Sequence, residues 1–289
     1  SVTGAIRKTC VNPLTARKTW RTAEPIHGFI YFLPEANDAY AALGKMHART
    51  GYFASRVAAM GAVPAEVVVS TFYNFEPSLV HEAMAPAWSV ATPEEWLQVR
   101  LRAVDTGLRR AWEGQVDNDT IRDLAALLRI AAERACESPE GRPLFAGHAS
   151  VRWPDEPHLA LWHAQTLLRE FRGDGHIVAL VAEGISGVEA LVTHAASGDV
   201  PAAVLASTRA WTQEAWDAAV EGLASRGLVN ADGTFTDAGR AQRQRIEDAT
   251  DALSTAPYSV LGEEKCELVR TLARPLSKAI VDSGMLGFR

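Results

Sequence analysis

The amino-acid sequence predicts a mainly α-helical protein made of two related halves, and two observations carry that expectation. The first is an internal repeat: Trp20, Glu24, Pro25, Gly51, Glu66, Pro77, Trp88 and the segment Thr92 to Trp96 return as Trp153, Glu156, Pro157, Gly175, Glu189, Pro201, Trp211 and the segment Thr212 to Trp216. The spacing between partners drifts, as loop insertions and deletions produce. The matched stretches cover roughly 20–112 and 153–227, a period too long for a solenoid. The second observation is apolar periodicity at helical spacing. Two halves of one chain tend to pack about a pseudo-two-fold axis, as a symmetric dimer does. Polar residues present in only one half, near that axis, are then the first candidates for a site.

Taken in order, Asp119 is a good N-cap for a helix carrying Ile121, Leu124, Leu127, Leu128 and Ala131. The breaker run from Glu137 to Pro143 ends it and sets a boundary between halves 1–143 and 144–289. Pro157 suits the first turn of a helix expected to run to Arg172, where Gly173, Asp174 and Gly175 are expected to stop it. A shorter helix is expected over 177–183. Residues 187–195 and 201–209 read as two more, split by a turn at Ser197, Gly198 and Asp199. The tail holds one long amphipathic helix over 263–281, with Pro275 inside it as an expected kink.

The stretch 201–253 has the most specific local pattern. A short helix and a turn at Ala210 and Trp211 precede a second helix from the Thr212 cap to Arg226. A tight turn from Asn230 to Gly233 then leads into Thr236 to Arg240. Residues Leu223 to Val229 and Phe235 to Arg240 resemble the winged-helix half of MarR-type regulators, and Ile246 to Asp251 look like the helix that follows the wing. The chain as a whole, through Glu24 to His27, Phe72 to Phe75 and Trp153 to His163, is similar to an actinobacterial helix-turn-helix family, a match that supplies a fold and almost no mechanism. The fold implied is an internally duplicated helix-turn-helix, winged-helix pseudo-dimer. It has a winged-helix module at about 201–253 with a small β wing, and a C-terminal helical tail.

Composition narrows the function. The chain has 289 residues, 47% of them hydrophobic, and a net charge of −6, which does not favour a nucleic-acid partner. No run approaches the ~20 apolar residues that cross a bilayer, and the polar N-terminal stretch with Arg7, Lys8, Arg17, Lys18 and Arg21 lacks a signal-peptide core. The expected place is the cytoplasm, without a membrane partner. Cys10, Cys136 and Cys266 are isolated and read as reduced thiols. The start of a recognition helix should offer donors to bases and phosphates. Here it carries Thr212, Gln213, Glu214, Trp216 and Asp217, with Glu221 one turn on and no Lys or Arg before Arg226. The expectation is a scaffold that has lost its DNA-binding chemistry. The alternative is a MarR-like transcriptional regulator whose pocket holds an effector.

The site expected instead is a pocket between the halves. Nine of the fourteen Phe and Tyr residues fall between Phe29 and Phe75, whereas the second copy has almost none of them. They make either ordinary core or a wall for a small aromatic or apolar ligand. Arg56 stands where the second copy has Leu180, so a buried or pocket-facing guanidinium needs a carboxylate from the protein or the ligand. His27, Tyr31, Tyr52, Arg56, Tyr73 and Trp162 are the ligand-binding candidates. Should there be enzymatic turnover, His158, His163 and His176 are the catalytic candidates, with Asp174 and His176 as one acid–base pair. On one helix His163, Thr166 and Glu170 share a face, whereas His158 and His163 diverge by about 140°. Haem or a His-bound metal is left open, but neither HExxH nor CxxC occurs. Neither do GxGxxG, the P-loop pattern or GxSxG. With both halves in one chain, a monomer or weak dimer is expected.

Overall fold

The computed structural model describes residues 11–286; Arg7, Lys8 and Cys10 lie outside them. In chain order the helices are α1 (Pro13–Gly28), α2 (Pro34–Ala41), α3 (Thr50–Val57), α4 (Ala65–Thr71), α5 (Pro77–Met84), α6 (Ala87–Val90), α7 (Pro93–Trp112) and α8 (Asn118–Ala135). They continue as α9 (Pro143–Ala149), α10 (Pro157–Ala182), α11 (Gly187–Ala196), α12 (Ala202–Thr208), α13 (Gln213–Ser225), α14 (Asp237–Leu253), α15 (Ala256–Ser259) and α16 (Gly262–Asp282). The protein is thus mainly α-helical, and no strand occurs among the described residues.

Local chemistry starts many of these helices. Proline fills a first-turn position in α1, α5, α7 and α10, where its missing N–H is not needed. Thr92 and Ser186 close reciprocal capping boxes with Glu95 and Glu189, and Thr212 and Thr236 cap α13 and α14. The cap of α8 differs from expectation. Asp117 is the N-cap residue, and Asp119 lies in the first turn, paired with Arg122.

Two expectations are corrected. The helix that begins at Pro157 does not stop at Gly173; it runs without interruption to Ala182, through the segment expected as a second helix. Two glycines oppose a helix by about 1 kcal/mol each, and tertiary contacts on this segment outweigh that. Arg172 pairs with Asp251 at 2.9 Å, Asp174 accepts from the Phe145 N–H at 2.9 Å, and Gly175 faces Leu253 on α14. The wing is the other correction. It consists of a single antiparallel bridge between Val229 and Phe235, with the Asn230 N–H donating to the Thr234 carbonyl. One bridged pair is too short for a two-stranded sheet to persist by itself.

Two apolar cores result. The larger takes side chains from α1 to α10 and from α15 and α16, with Phe53, Trp96, Leu108, Leu128, Leu161 and Leu276 among its sealed members. The smaller, from Ala179 to Ile246, packs α11 against α13 around Leu191, Trp216 and Leu223. Helix α10 lies against α1, α8, α9 and α14 and enters both cores. No single helix is long and apolar enough to cross a membrane.

Candidate functional site

A cavity of about 340 Å³ opens where α10 and α11 face α3 and the turn between α4 and α5. Its first wall is Tyr52, Phe72, Tyr73 and Phe75; its second comes from α10 and α11, including Glu170, His176 and Leu191. The rings pack edge to face, Phe53 lying 5.1 Å from Phe72 and 5.0 Å from Phe75. Phe72 and Phe75 are thus core as well as wall, and Phe53 packs behind them as core.

The backbone at this seam is held in uncommon conformations. Tyr73 has φ +25° and Ala210 φ +63°, which side chains other than glycine rarely adopt. Cross-bonds fix both turns. The Glu76 N–H donates to the Arg209 carbonyl at 2.9 Å, the Trp211 indole to the Asn74 carbonyl at 2.9 Å, and the Tyr73 hydroxyl to the Ile185 carbonyl. Gly187 is required here, because a Cβ would collide with the Tyr73 carbonyl oxygen.

The floor is polar and buried. Arg56 has the carboxylate its burial demands: its Nη2 lies 3.1 Å from Glu170 Oε1, and its Nη1 donates to the Tyr52 hydroxyl at 2.8 Å. The guanidinium lies 4.5 Å from the Phe72 centroid and 4.8 Å from that of Tyr31. Arg169 spans Glu24 at 3.2 Å and Glu170 at 3.9 Å. Glu170 is sealed, yet the guanidinium groups of Arg56 and Arg169 overcome desolvation and hold its carboxyl down at about 2. The pair is therefore ionised, and its charges are matched inside the protein.

Beside it runs a chain of neutral groups. Thr166 donates to the Trp162 carbonyl, so its oxygen accepts from His27 Nδ1 at 2.9 Å. This leaves His27 Nε2 to accept from the Tyr31 hydroxyl at 2.6 Å. Burial holds His27 well below its ordinary value and pushes Tyr31 up to about 12. The same logic applies to His176. Thr250 donates to the Ile246 carbonyl and accepts from His176 Nδ1 at 2.9 Å, so Nε2 is left as an acceptor on a residue that lines the cavity. Burial lowers His176 to about 4.

The candidate residues therefore separate. Tyr52, Arg56, Tyr73 and His176 line this cavity, and His27 and Tyr31 sit in the network beside it. Trp162 and His163 line a second cleft, where the Trp153 ring meets His163 edge-on at 4.7 Å. His158 lines a third with Trp112 and bonds Asp105. The three catalytic candidates are not brought together. Asp174 and His176 do not pair either, since Asp174 caps α9 and residues two apart on a helix face different ways. Sequence reasoning missed Arg209, and did not select Arg169 or His194, which also line this cavity. Their signal was proximity to the seam, invisible before α10 was known to be continuous.

No group of three His, Cys, Asp or Glu side chains among the described residues could hold a metal ion. Cys136 and Cys266 are free thiols. On the smaller core's surface Arg226 pairs with Glu189, Arg240 with Asp237, Arg243 with Glu247 and Arg245 with Glu183. A helix-turn-helix family model matches residues 16–287, almost the whole chain. No curated protein and no solved structure matches it. With that extent of match, the chain belongs to the helix-turn-helix family.

Proposed function

We propose that the protein binds a small aromatic or otherwise apolar ligand in the cavity between its halves, on a winged-helix scaffold of MarR-like ancestry. The observation that carries this reading is the cavity itself. Aromatic side chains from α3 and the α4–α5 turn face α10 and α11 across a space within the usual size range of small-molecule sites. His176 Nε2 and the Tyr52 hydroxyl are the polar groups that would orient a ligand. Catalysis by His158, His163 and His176 acting together gains no support from their separate locations.

The same reading takes 1–143 and 144–289 as products of a duplication. The succession α4, α5 and α7, with Thr92 capping the last, parallels α11, α12 and α13, with Thr212 capping the last. A chain that contains both halves is complete as a monomer or weak dimer.

Family membership favours the second reading, a DNA-binding regulator with an effector in this cavity. Against it stand the acidic start of α13 and the carboxylate partners of the nearby arginines, which leave few cations for phosphates. A thermal-shift panel of aromatic and apolar compounds tests the first reading. Its hits should lose affinity in Ala190→Leu, which fills part of the cavity. Hits that bind this variant equally well, or a panel without hits, would sink it. Tight binding to the protein's own promoter DNA with a steep salt slope would establish the regulator, and the absorption spectrum and metal content of fresh protein test the haem and metal branch.

A further inference from the structure

Tyr52 also lines a further cavity of about 520 Å³, bordered by α2, α3, α7 and the loop between α2 and α3. Its charged lining residues are Lys45, Arg49 and Arg100, and no carboxylate lines it. In a chain with 35 acidic and 29 Lys and Arg residues, that is not the composition of an average surface. Tyr31, Tyr40 and Tyr52 supply aromatic wall, and Tyr40 packs so closely over α3 that a Cβ on Gly51 would lie 2.5 Å from its ring.

Arg100 makes this cavity unusual, and it stands between this cavity and the cleft lined by Trp162 and His163. It is 1% exposed and pairs with no carboxylate, in contrast to Arg56 and Arg169. Nη1 donates to the Ser55 carbonyl at 3.2 Å, while Nε and Nη2 are buried without any acceptor. The Trp162 ring, 5.1 Å away, covers a face of the guanidinium and gives its edge nothing to bond. A buried guanidinium without a counter-charge costs several kcal/mol. The two orphan atoms form the side edge that grips a carboxylate or phosphate with two parallel N–H bonds. Arg49 and Lys45 also lack carboxylate partners; Arg49 Nη2 donates to the Thr208 carbonyl at 2.8 Å. Comparison of the copies makes Arg100 as distinctive as Arg56. It lies eight residues after the Thr92 cap, where the second copy, counted from Thr212, has Val220.

We propose that this cavity binds an organic oxyanion, a carboxylate or phosphate ester, with its acid group turned toward the Arg100 guanidinium and Arg49 and Lys45 nearer solvent. The site is distinct from the inter-half cavity and stands even if that cavity binds nothing. Calorimetric titration of the full chain with phenyl phosphate and with benzoate tests it. At least one probe should bind with a Kd below about 1 mM, more weakly as salt is raised, and their ratio tells phosphate from carboxylate. The double variant Lys45→Gln, Arg49→Gln changes only partly exposed side chains and should weaken binding about tenfold or more. Arg100→Met should abolish binding. It should also melt no lower than the wild type without probe, because an apolar chain replaces an uncompensated buried charge. Failure of both probes to bind, or undiminished binding by the double variant, overturns the proposal, and the double variant decides the matter if Arg100→Met does not fold.

Discussion

Asp174 is a buried carboxyl whose hydrogen-bond donor is the backbone N–H of Phe145, and burial pushes it up to about 7. A folded value above the unfolded one, about 3.9, stabilises the protein fully below that unfolded value, and the contribution is lost as pH rises through about 7. His163 and His176, lowered by burial to about 4, and His148, lowered to about 3, act in the opposite sense. Their contribution is present above about 6.5 and is lost as pH falls through their folded values. Asp174→Asn retains an acceptor for Phe145 and removes the charge. It should raise the melting temperature at pH 8 by a few degrees, about 1–2 kcal/mol, with a much smaller gain at pH 5. An equal shift at both pH values would show that this carboxyl does not titrate as its burial requires. The repeat read in the sequence singled out Arg56, because the aligned residue is Leu180. The separation of His158, His163 and His176 into three cavities was not legible, because helix spacing gives direction around an axis and says nothing of which neighbours close each face.

At the scale of elements, glycine means different things in different places. Gly173 lies inside α10, and a Cβ there would meet only the ends of Glu170 and Arg169, at 3.5 and 3.7 Å. Gly187 opens α11 directly against the Tyr73 carbonyl. Gly173→Ala should therefore stabilise by up to about 1 kcal/mol through helix propensity. Gly187→Ala should destabilise by about 1–3 kcal/mol, because the seam must move. Urea unfolding of both variants checks this, and a loss of stability in Gly173→Ala would mean that the α10 segment needs its glycine for packing. The contrast also marks the limit of reading elements from sequence. Caps such as Thr92 and Thr212 are local chemistry and were legible. The continuation of α10 past Gly173 depends on Asp251, Phe145 and Leu253, remote in sequence, which outweigh a local stop signal. The turn from Asn230 to Gly233 was equally local, but strand length beyond the Val229–Phe235 bridge was not encoded in it.

Over the whole molecule, α10 is the shaft that joins two cores of unequal size. Its residues from Leu159 to Phe171 belong to the larger core, and Ala179 and Leu180 begin the smaller one. Val178 lies between these groups and is 45% exposed, so replacing it removes little packing. Proline at this position deletes a backbone donor and clashes with the carbonyl one turn back, a local penalty of about 3 kcal/mol or more. Asp251 still ties α14 to α1 through Arg17 and to α10 through Arg172, and the seam bonds of Tyr73 and Trp211 remain. In the wild type an unbroken helix should carry unfolding from one core to the other, giving a single calorimetric transition. Val178→Pro should split that transition, and the core from Ala179 to Ile246, which has less buried apolar surface, should melt first. The same break would loosen this cavity, since His176 and Ile177 on one side and Leu180 on the other are held in register by this turn of helix. A Val178→Pro protein that melts in one transition, merely at lower temperature, would mean that the seam at Tyr73 and Trp211 couples the cores by itself and that α10 is not the shaft.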